Sequence, residues 1–289
     1  AVVHLATDPL AGAVGEDLLA ALGAAADPDL ALLSLSRIVA VSDDPPAVVQ
    51  LLNDDPELQQ GVVGVLGVSE ALADHLVRHP EDLSEMAGQH AVPDRTAMIG
   101  ELLAEVGAES GPGGPVASGT SPDPAAAIRR RYRAILLRIA RADLVGGAPY
   151  DAVVGWLSDL ADAALEAALA VARSRVPHAD SCRFAVIAMG KCGAQELNYV
   201  SDVDVVFVVG PAAGADDVTA TRVGTALASE LMKVCSASTP EGPLWEVDPG
   251  LRPEGKSGAL VRTLDSHLGY DERWAQTWEF QALLKARAA

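Results

Sequence analysis

Phe184-Ala-Val-Ile-Ala-Met-Gly-Lys-Cys-Gly-Ala-Gln-Glu-Leu-Asn-Tyr-Val-Ser-Asp-Val-Asp-Val-Val-Phe-Val-Val209 is the stretch on which the reading of this chain turns. Its two ends are short apolar runs, Phe184 to Met189 and Val203 to Val209, and Gly190 stops the first, as buried strands are stopped. Between them, Gly190-Lys-Cys-Gly193 leads into a short helical turn around Gln195, Glu196 and Leu197.

Residues two apart on a strand project from one face, so Asp202 and Asp204 present carboxylates about 7 Å apart at their backbones. Side chains converging from that spacing suit a hard cation, with magnesium the natural choice. Nucleotidyl transfer requires fixed positive charge against the charge developing on phosphate oxygens, and one or two such ions supply it. A third carboxylate usually completes the set. Asp248, ending a third candidate strand at Leu244-Trp-Glu-Val-Asp248, is the expected ligand and general base, with Glu246 on the same face as the alternative. Upstream, Gly190 and Gly193 let the backbone approach an anion closely, a helix starting near Gly193 aims amides at phosphate, and Lys191 adds a point charge. The loop lacks the spacing and the Lys-Ser/Thr ending of a Walker A motif.

Outward from this segment the chain is helical. From Asp17 to Met86, Leu18, Leu19 and Leu22, then Leu72, Leu76 and Val77, recur at three- and four-residue spacing. Asp55-Pro-Glu-Leu58 and His79-Pro-Glu-Asp-Leu83 each place Pro and an acid in a first helical turn, where both are favoured. His75 and His79, four apart, read as a helix-end pair. Residues 107–124, centred on Gly111-Pro-Gly-Gly-Pro115, are too poor in apolar side chains to order themselves and read as a flexible linker or surface loop. Ala125 to Asp143 and Tyr150 to Arg173 read as long helices. The first carries a basic island, Arg129, Arg130, Arg131, Arg133, Arg138 and Arg141, read as a solvated face. Val218 to Ser236 is an amphipathic helix, and helix resumes from Thr263. Trp245, Trp274 and Trp278 read as core anchors.

The expected division is a helical region over 1–106, the linker 107–124, a helical lead-in 125–176, a strand-containing core 177–262, and the start of a C-terminal helical region over 263–289. Lys285-Ala-Arg-Ala-Ala289 has no helix stop signal and the chain opens without Met, so a fragment of a longer protein is expected.

A length of 289 residues calls for more than one structural unit, and 49% hydrophobic with 4% aromatic residues predicts aliphatic cores. The net charge of −19 opposes broad contact with nucleic acid, which needs clustered Lys and Arg. Three cysteines, Cys182, Cys192 and Cys235, form neither a disulfide framework nor a zinc motif. No membrane-length apolar run occurs and Ala1 to Leu5 lacks a signal-peptide pattern, so a cytoplasmic protein is expected.

Gly190-Lys-Cys-Gly-Ala-Gln-Glu-Leu-Asn198, Ser201-Asp-Val-Asp204, Val247-Asp-Pro-Gly-Leu-Arg-Pro-Glu-Gly255, Ser257-Gly-Ala-Leu-Val261 and Trp278-Glu-Phe-Gln-Ala-Leu-Leu-Lys-Ala-Arg287 together resemble the bacterial bifunctional glutamine synthetase adenylyltransferase and adenylyl-removing enzymes. The resemblance implies an α+β fold: a polymerase β-type nucleotidyltransferase domain with a small mixed sheet, flanked by N-terminal and C-terminal helical regions. It implies glutamine synthetase as protein substrate, a second nucleotidyltransferase domain in the full-length chain, and a PII-type signalling protein as a further partner, with no nucleic acid and no membrane.

Leu32-Leu-Ser-Leu-Ser-Arg37 and Leu76-Val-Arg-His-Pro-Glu-Asp-Leu83 resemble the region before the first, adenylyl-removing domain. The activity so implied is magnesium-dependent phosphorolysis of adenylyl-tyrosine, with phosphate as substrate and ADP as product. On this reading Asp202, Asp204 and Asp248 hold magnesium, and Gly190, Lys191, Gly193 and Ser201 cradle phosphates. Arg252 and Lys256 neutralise phosphate or nucleotide; Glu196 and Asn198 order the loop. Ala194, where a second Gly is common, and Gly250, where relatives carry Arg, depart from the pattern. Two alternatives stay open: attachment of AMP from ATP to the tyrosine, or a catalytically silent regulatory module binding a PII-type partner.

Overall fold

The computed structural model of the protein describes residues 14–87 and 91–289; Ala1 to Leu5 lie outside them. Contacts divide the chain into two units, one of Ala1–Val92 with Arg133–Val153, the other of Pro93–Tyr132 with Val154–Ala289.

The first unit is built from α1 (Glu16–Ala24), α2 (Pro28–Val41), α3 (Pro45–Asp54), α4 (Pro56–Leu66) and α5 (Glu70–Arg78), followed by a 3-10 helix over Pro80–Met86. An Asp-Pro pair starts three of these helices. Asp27, Asp44 and Asp55 accept hydrogen bonds from the amides of Leu30, Ala47 and Leu58, while Pro at the first helical position has no N–H to leave unpaired. His79-Pro80 starts a tighter helix than expected, with no side-chain cap. Leu18, Leu35, Ile38, Leu52, Leu58, Leu66, Leu76 and Met86 form the core with Leu137. His75 is buried and its Nε2 lies 2.9 Å from Asp82 Oδ2, with the His79 ring 5.0 Å away, as a helix-end pair.

The second unit is the α+β part. It begins with α6 (Arg95–Glu105), capped by Asp94. Residues 107–124, expected to be a flexible linker, instead contain an antiparallel hairpin, β1 (Glu109–Gly111) and β2 (Gly114–Val116). Gly114 turns the chain at φ +114, and the Arg173 guanidinium lies where a side chain at this position would be; its Nη1 donates to the Pro115 carbonyl at 3.0 Å. Long-range backbone pairing, Ala117 N–H to the Ala170 carbonyl at 3.0 Å, supplies the order that local composition does not.

Two long helices follow, α7 (Pro124–Leu144) and α8 (Tyr150–Arg175), each contributing residues to both units. Then come β3 (Cys182–Ala188), the one-turn α9 (Gly190–Gly193), β4 (Val203–Pro211), α10 (Asp217–Ser236), β5 (Val247–Asp248), β6 (Val261–Thr263), α11 (Leu264–Asp271), α12 (Thr277–Leu283) and β7 (Arg287–Ala288). The sheet order is β5-β4-β3-β7, with β6 also paired to β4. β3 runs antiparallel to β4 and β7, whereas β5 and β6 run parallel to β4, so the sheet is mixed.

Period-two alternation assigns the faces. Val203, Val205, Phe207 and Val209 are buried and paired in register with Ala188, Val186 and Phe184 from β3 where the two strands overlap. α10 covers this face; a Cβ on its Gly224 would come within 3.4 Å of both Val209 and Phe184 side chains. Asp204 therefore projects from the opposite face.

Three expectations are corrected. Apart from exposed Arg130, the basic island is not a solvated face. Arg129 is fully buried and donates to the carbonyls of Ala125, Val234, Cys235 and Ala237, closing the C-terminal end of α10. Arg131 pairs with Glu101, and Arg138 with Glu85. The tail at 285–289 is not helix but forms β7 on the open edge of β3. Trp274 and Trp278 are 69% and 55% exposed rather than core anchors: Trp274 lies between α11 and α12, Trp278 on α12, and neither helix has a buried residue. Among the described residues no helix is long and apolar enough to cross a membrane.

Candidate active site

β4 and β5 bring two of the three expected carboxylates together. Asp204 and Asp248 are register partners on adjacent parallel strands, so their backbones stand one strand spacing apart, about 4.8 Å. Partners in a parallel ladder share a face, and both side chains are half-buried. Asp202 is exposed and lies just before β4 begins. Val247, the neighbour of Asp248, is buried opposite Val203, which fixes the pairing by the apolar alternation. β5 is shorter than the strand expected over Leu244 to Asp248, and Glu246 is exposed before it starts, its carbonyl accepting from Val203 N–H at 2.9 Å.

Burial raises the Asp204 carboxyl above its ordinary pKa, and the neighbouring charges of Asp248 and Asp202 raise it further, opposed by Lys191. This cluster of like-charged hard oxygen donors fits a divalent cation, whose charge would relieve the repulsion. One oxygen of Asp248 accepts the Gly250 N–H at 2.7 Å, which orients the carboxylate by the loop that follows.

The glycine turn packs against Asp204. Gly190 has φ +52, and a Cβ there would lie 2.2 Å from Asp204 Oδ2, so glycine is required both by the left-handed backbone and by the carboxylate's closeness. Met189 N–H donates to the Asp204 carbonyl at 2.8 Å, continuing the β3–β4 ladder to the turn. At Gly193 a Cβ would lie 2.1 Å from the Lys285 carbonyl oxygen and 2.5 Å from that of Ala188. The turn is thus enclosed by backbone on one side while Lys191 stays exposed.

The remaining expected residues divide. Ser201 is half-buried beside Asp202, and Lys256 is exposed in the loop after β5. Arg252, expected at phosphate, directs its guanidinium at the loop's own carbonyls: Pro249 at 2.8 Å, Lys256 at 3.1 Å and Gly258 at 3.2 Å. It holds the segment that carries Asp248 and Lys256. Glu196 accepts from Lys285 Nζ at 2.9 Å, while Asn198 is exposed. Cys192 is buried and its thiol is pushed up to about 12, chiefly by that burial, so it is packed and unreactive.

Residues that the sequence reading passed over brace the turn from α8. Ser158 Oγ accepts the Leu197 N–H at 3.2 Å, Asp159 accepts from Gln195 Nε2 at 3.2 Å, and buried Asp162 binds Arg95 and Arg287. The available signal was a pair of acids three apart inside the Leu- and Ala-rich run Leu157 to Ala172.

Comparison with known proteins agrees with the motif resemblance. The family model described as glutamate-ammonia ligase adenylyltransferase matches residues 59–289. The bifunctional glutamine synthetase adenylyltransferase/adenylyl-removing enzyme of Streptomyces avermitilis is 50% identical over 277 residues, covering 93% of this chain and 26% of the relative. That of Nocardia farcinica is 50% identical over 285 residues, covering 93% and 27%, and that of Bifidobacterium longum 43% over 282 residues, covering 94% and 26%. The chain spans about a quarter of the length of the curated relatives it matches. With the family model covering most of its length, and with the carboxylates and glycine turn assembled on one sheet, the chain belongs to the glutamate-ammonia ligase adenylyltransferase family.

Proposed function

We propose that this chain is the adenylyl-removing domain of a bifunctional enzyme of this family, deadenylylating glutamine synthetase by magnesium-dependent phosphorolysis. The observation that carries the chemistry is the in-register pair Asp204 and Asp248, with Gly190 against Asp204. The direction rests on the lead-in of the first unit, Leu32 to Arg37 and Leu76 to Leu83, which resembles the region before the removing domain.

In this reading Asp202, Asp204 and Asp248 hold magnesium, which supplies positive charge against the phosphate oxygens as the bond changes develop. Lys191 and Lys256, both exposed, attract and orient the incoming phosphate. The amides of the glycine turn and the Ser201 hydroxyl cradle phosphate oxygens. A phosphate oxygen attacks the AMP phosphorus, the bond to the tyrosyl oxygen breaks with its electron pair staying on that oxygen, which takes a proton from water, and ADP and free tyrosine leave. Asp248 accepts the proton of the attacking phosphate, and its alignment depends on the Gly250 N–H. Arg252 keeps the loop shaped, and Glu196 with Asn198 orders the far side of the turn.

Incubating adenylylated glutamine synthetase with phosphate and magnesium is expected to release ADP. Pyrophosphate release from ATP with unmodified glutamine synthetase, without ADP in the first assay, would overturn the direction and leave attachment of AMP as the activity. Magnesium and ADP that fail to bind by calorimetry would support the silent regulatory module. Arg131 and Arg138, engaged with Glu101 and Glu85, weaken the case for an arginine face as a PII-type docking site.

A further inference from the structure

We propose that Asp162 is a positioning residue that fixes the glycine turn through Arg287. The proposal rests on the reading of that turn as the phosphate cradle. Asp162 sits on α8 among buried Leu160, Ala161, Ala163 and Ala164, with its carboxylate fully enclosed. A carboxylate in such surroundings is costly unless its oxygens are paired. Arg95 Nε reaches Oδ2 at 3.0 Å, and Arg287 engages both oxygens, Nη1 at 2.6 Å and Nη2 at 3.1 Å.

The two arginines differ in what else they touch. Arg287 Nη2 also donates to the Cys192 carbonyl at 3.1 Å, inside the turn. β7 delivers it there, with Arg287 opposite Ala188 and Ala288 opposite Ile187. No contact with the turn is seen for Arg95 among the described residues. Ser158 and Asp159, one turn earlier on α8, hold Leu197 and Gln195, and Gln195 keeps a left-handed φ of +56. Residues 158, 159 and 162 therefore form one bracing face for residues 192, 195 and 197. Because Met189 N–H is bonded to the Asp204 carbonyl, movement of the turn is transmitted to the carboxylate strand.

A replaced ion pair can leave stability little changed, whereas a small misplacement of a catalytic loop is costly in rate. Three variants in the full-length protein separate the two roles. Arg287→Ala is expected to lower kcat for ADP release by about tenfold or more, raise KM for phosphate, and speed hydrogen exchange at the Gly193, Glu196 and Leu197 amides. Arg95→Ala is expected to lower Tm comparably while keeping kcat within about twofold and turn exchange at the wild-type rate. Arg287→Lys keeps charge beside Asp162 but cannot span Asp162 and the Cys192 carbonyl; it should retain Tm and lose kcat, which covers a misfolded alanine variant. Equal loss of kcat in Arg95→Ala and Arg287→Ala, tracking Tm, would overturn the proposal, as would wild-type turn exchange in both Arg287 variants. Should the parent protein release no ADP, the functional reading falls, while the exchange measurement still decides the bracing role.

Discussion

Asp204 and Asp248 stand in register on neighbouring parallel strands with nothing but a strand spacing between their backbones. Like charges so placed work against the fold that aligns them. The Asp204 pKa is raised by burial first, then by Asp248 and Asp202. A carboxyl raised in the folded state stabilises the fold fully below its ordinary value of 3.8, and that contribution is lost as pH rises through the raised value. In chelator, Asp204→Asn should therefore melt higher than the parent at pH 7, with the difference vanishing toward pH 4. Calorimetry across that range checks the sign.

Magnesium should reverse the order. At about 100 times its Kd it adds about 2.7 kcal/mol to the parent protein by mass action. Asp204→Asn should lose that gain together with at least roughly a hundredfold in turnover, about 3 kcal/mol of transition-state stabilisation. Thermal melts with and without magnesium, alongside ADP release, measure both.

Gly190→Ala should damage the site more than the fold. A methyl group 2.2 Å from Asp204 Oδ2, on a backbone at φ +52, must push either the carboxylate or the turn. A strain of about 1–2 kcal/mol is expected in stability, and magnesium affinity should fall at least about tenfold. Denaturant unfolding and calorimetric titration separate the two losses.

Lys191→Met removes the charge that holds the Asp204 pKa down. The pH at which magnesium binding reaches half its maximum should move upward, and KM for phosphate should rise about tenfold, the loss of one charge-assisted contact. Unchanged values for both would remove Lys191 from the cradle.

Arg129→Met tests an element distant from the chemistry. Its guanidinium satisfies the carbonyls of Val234, Cys235 and Ala237 in a buried location, and no methionine atom can replace those donors. A loss of about 3 kcal/mol or more in unfolding free energy is expected, with little recovery in Arg129→Lys, whose ammonium cannot span the same fork.

Much of the site was legible because its signals are local. The β3-turn-β4 unit follows from two apolar runs around Gly190 to Gly193, and the Asp-x-Asp pair lies within one strand end. Asp248 was legible as a strand-end acid, though β5 is only Val247–Asp248 because β4 itself begins at Val203, so that pairing starts with the Val203 N–H to Glu246 carbonyl bond and Leu244 and Trp245 face no strand. What escaped depends on partners far away in sequence. Arg131 meets Glu101 30 residues back, Arg138 meets Glu85 53 back, and the hairpin at 109–116 is held by Ala170 and Arg173. The tail read as helix because Lys285 to Ala289 has good helix formers, yet Asp162, 125 residues upstream, and the open edge of β3 draw it into a strand. Arg252 shows the same limit: its position beside Asp248 was clear, but the direction of its guanidinium depends on carbonyls that a loop presents only once folded.

The edge pairing of β3 with β7 has a consequence for biosynthesis. Cys192 and Arg287 are 95 residues apart, so at roughly 5–20 residues per second a ribosome takes about 5–20 s to add the guanidinium that fastens the turn. During that interval β3 and β4 can pair, while the edge of β3 and the buried acid of α8 await their partner. The nascent domain thus passes through a stage in which its carboxylate-bearing strands exist before the loop beside them is locked, and a chaperone covering that edge would act in the same window.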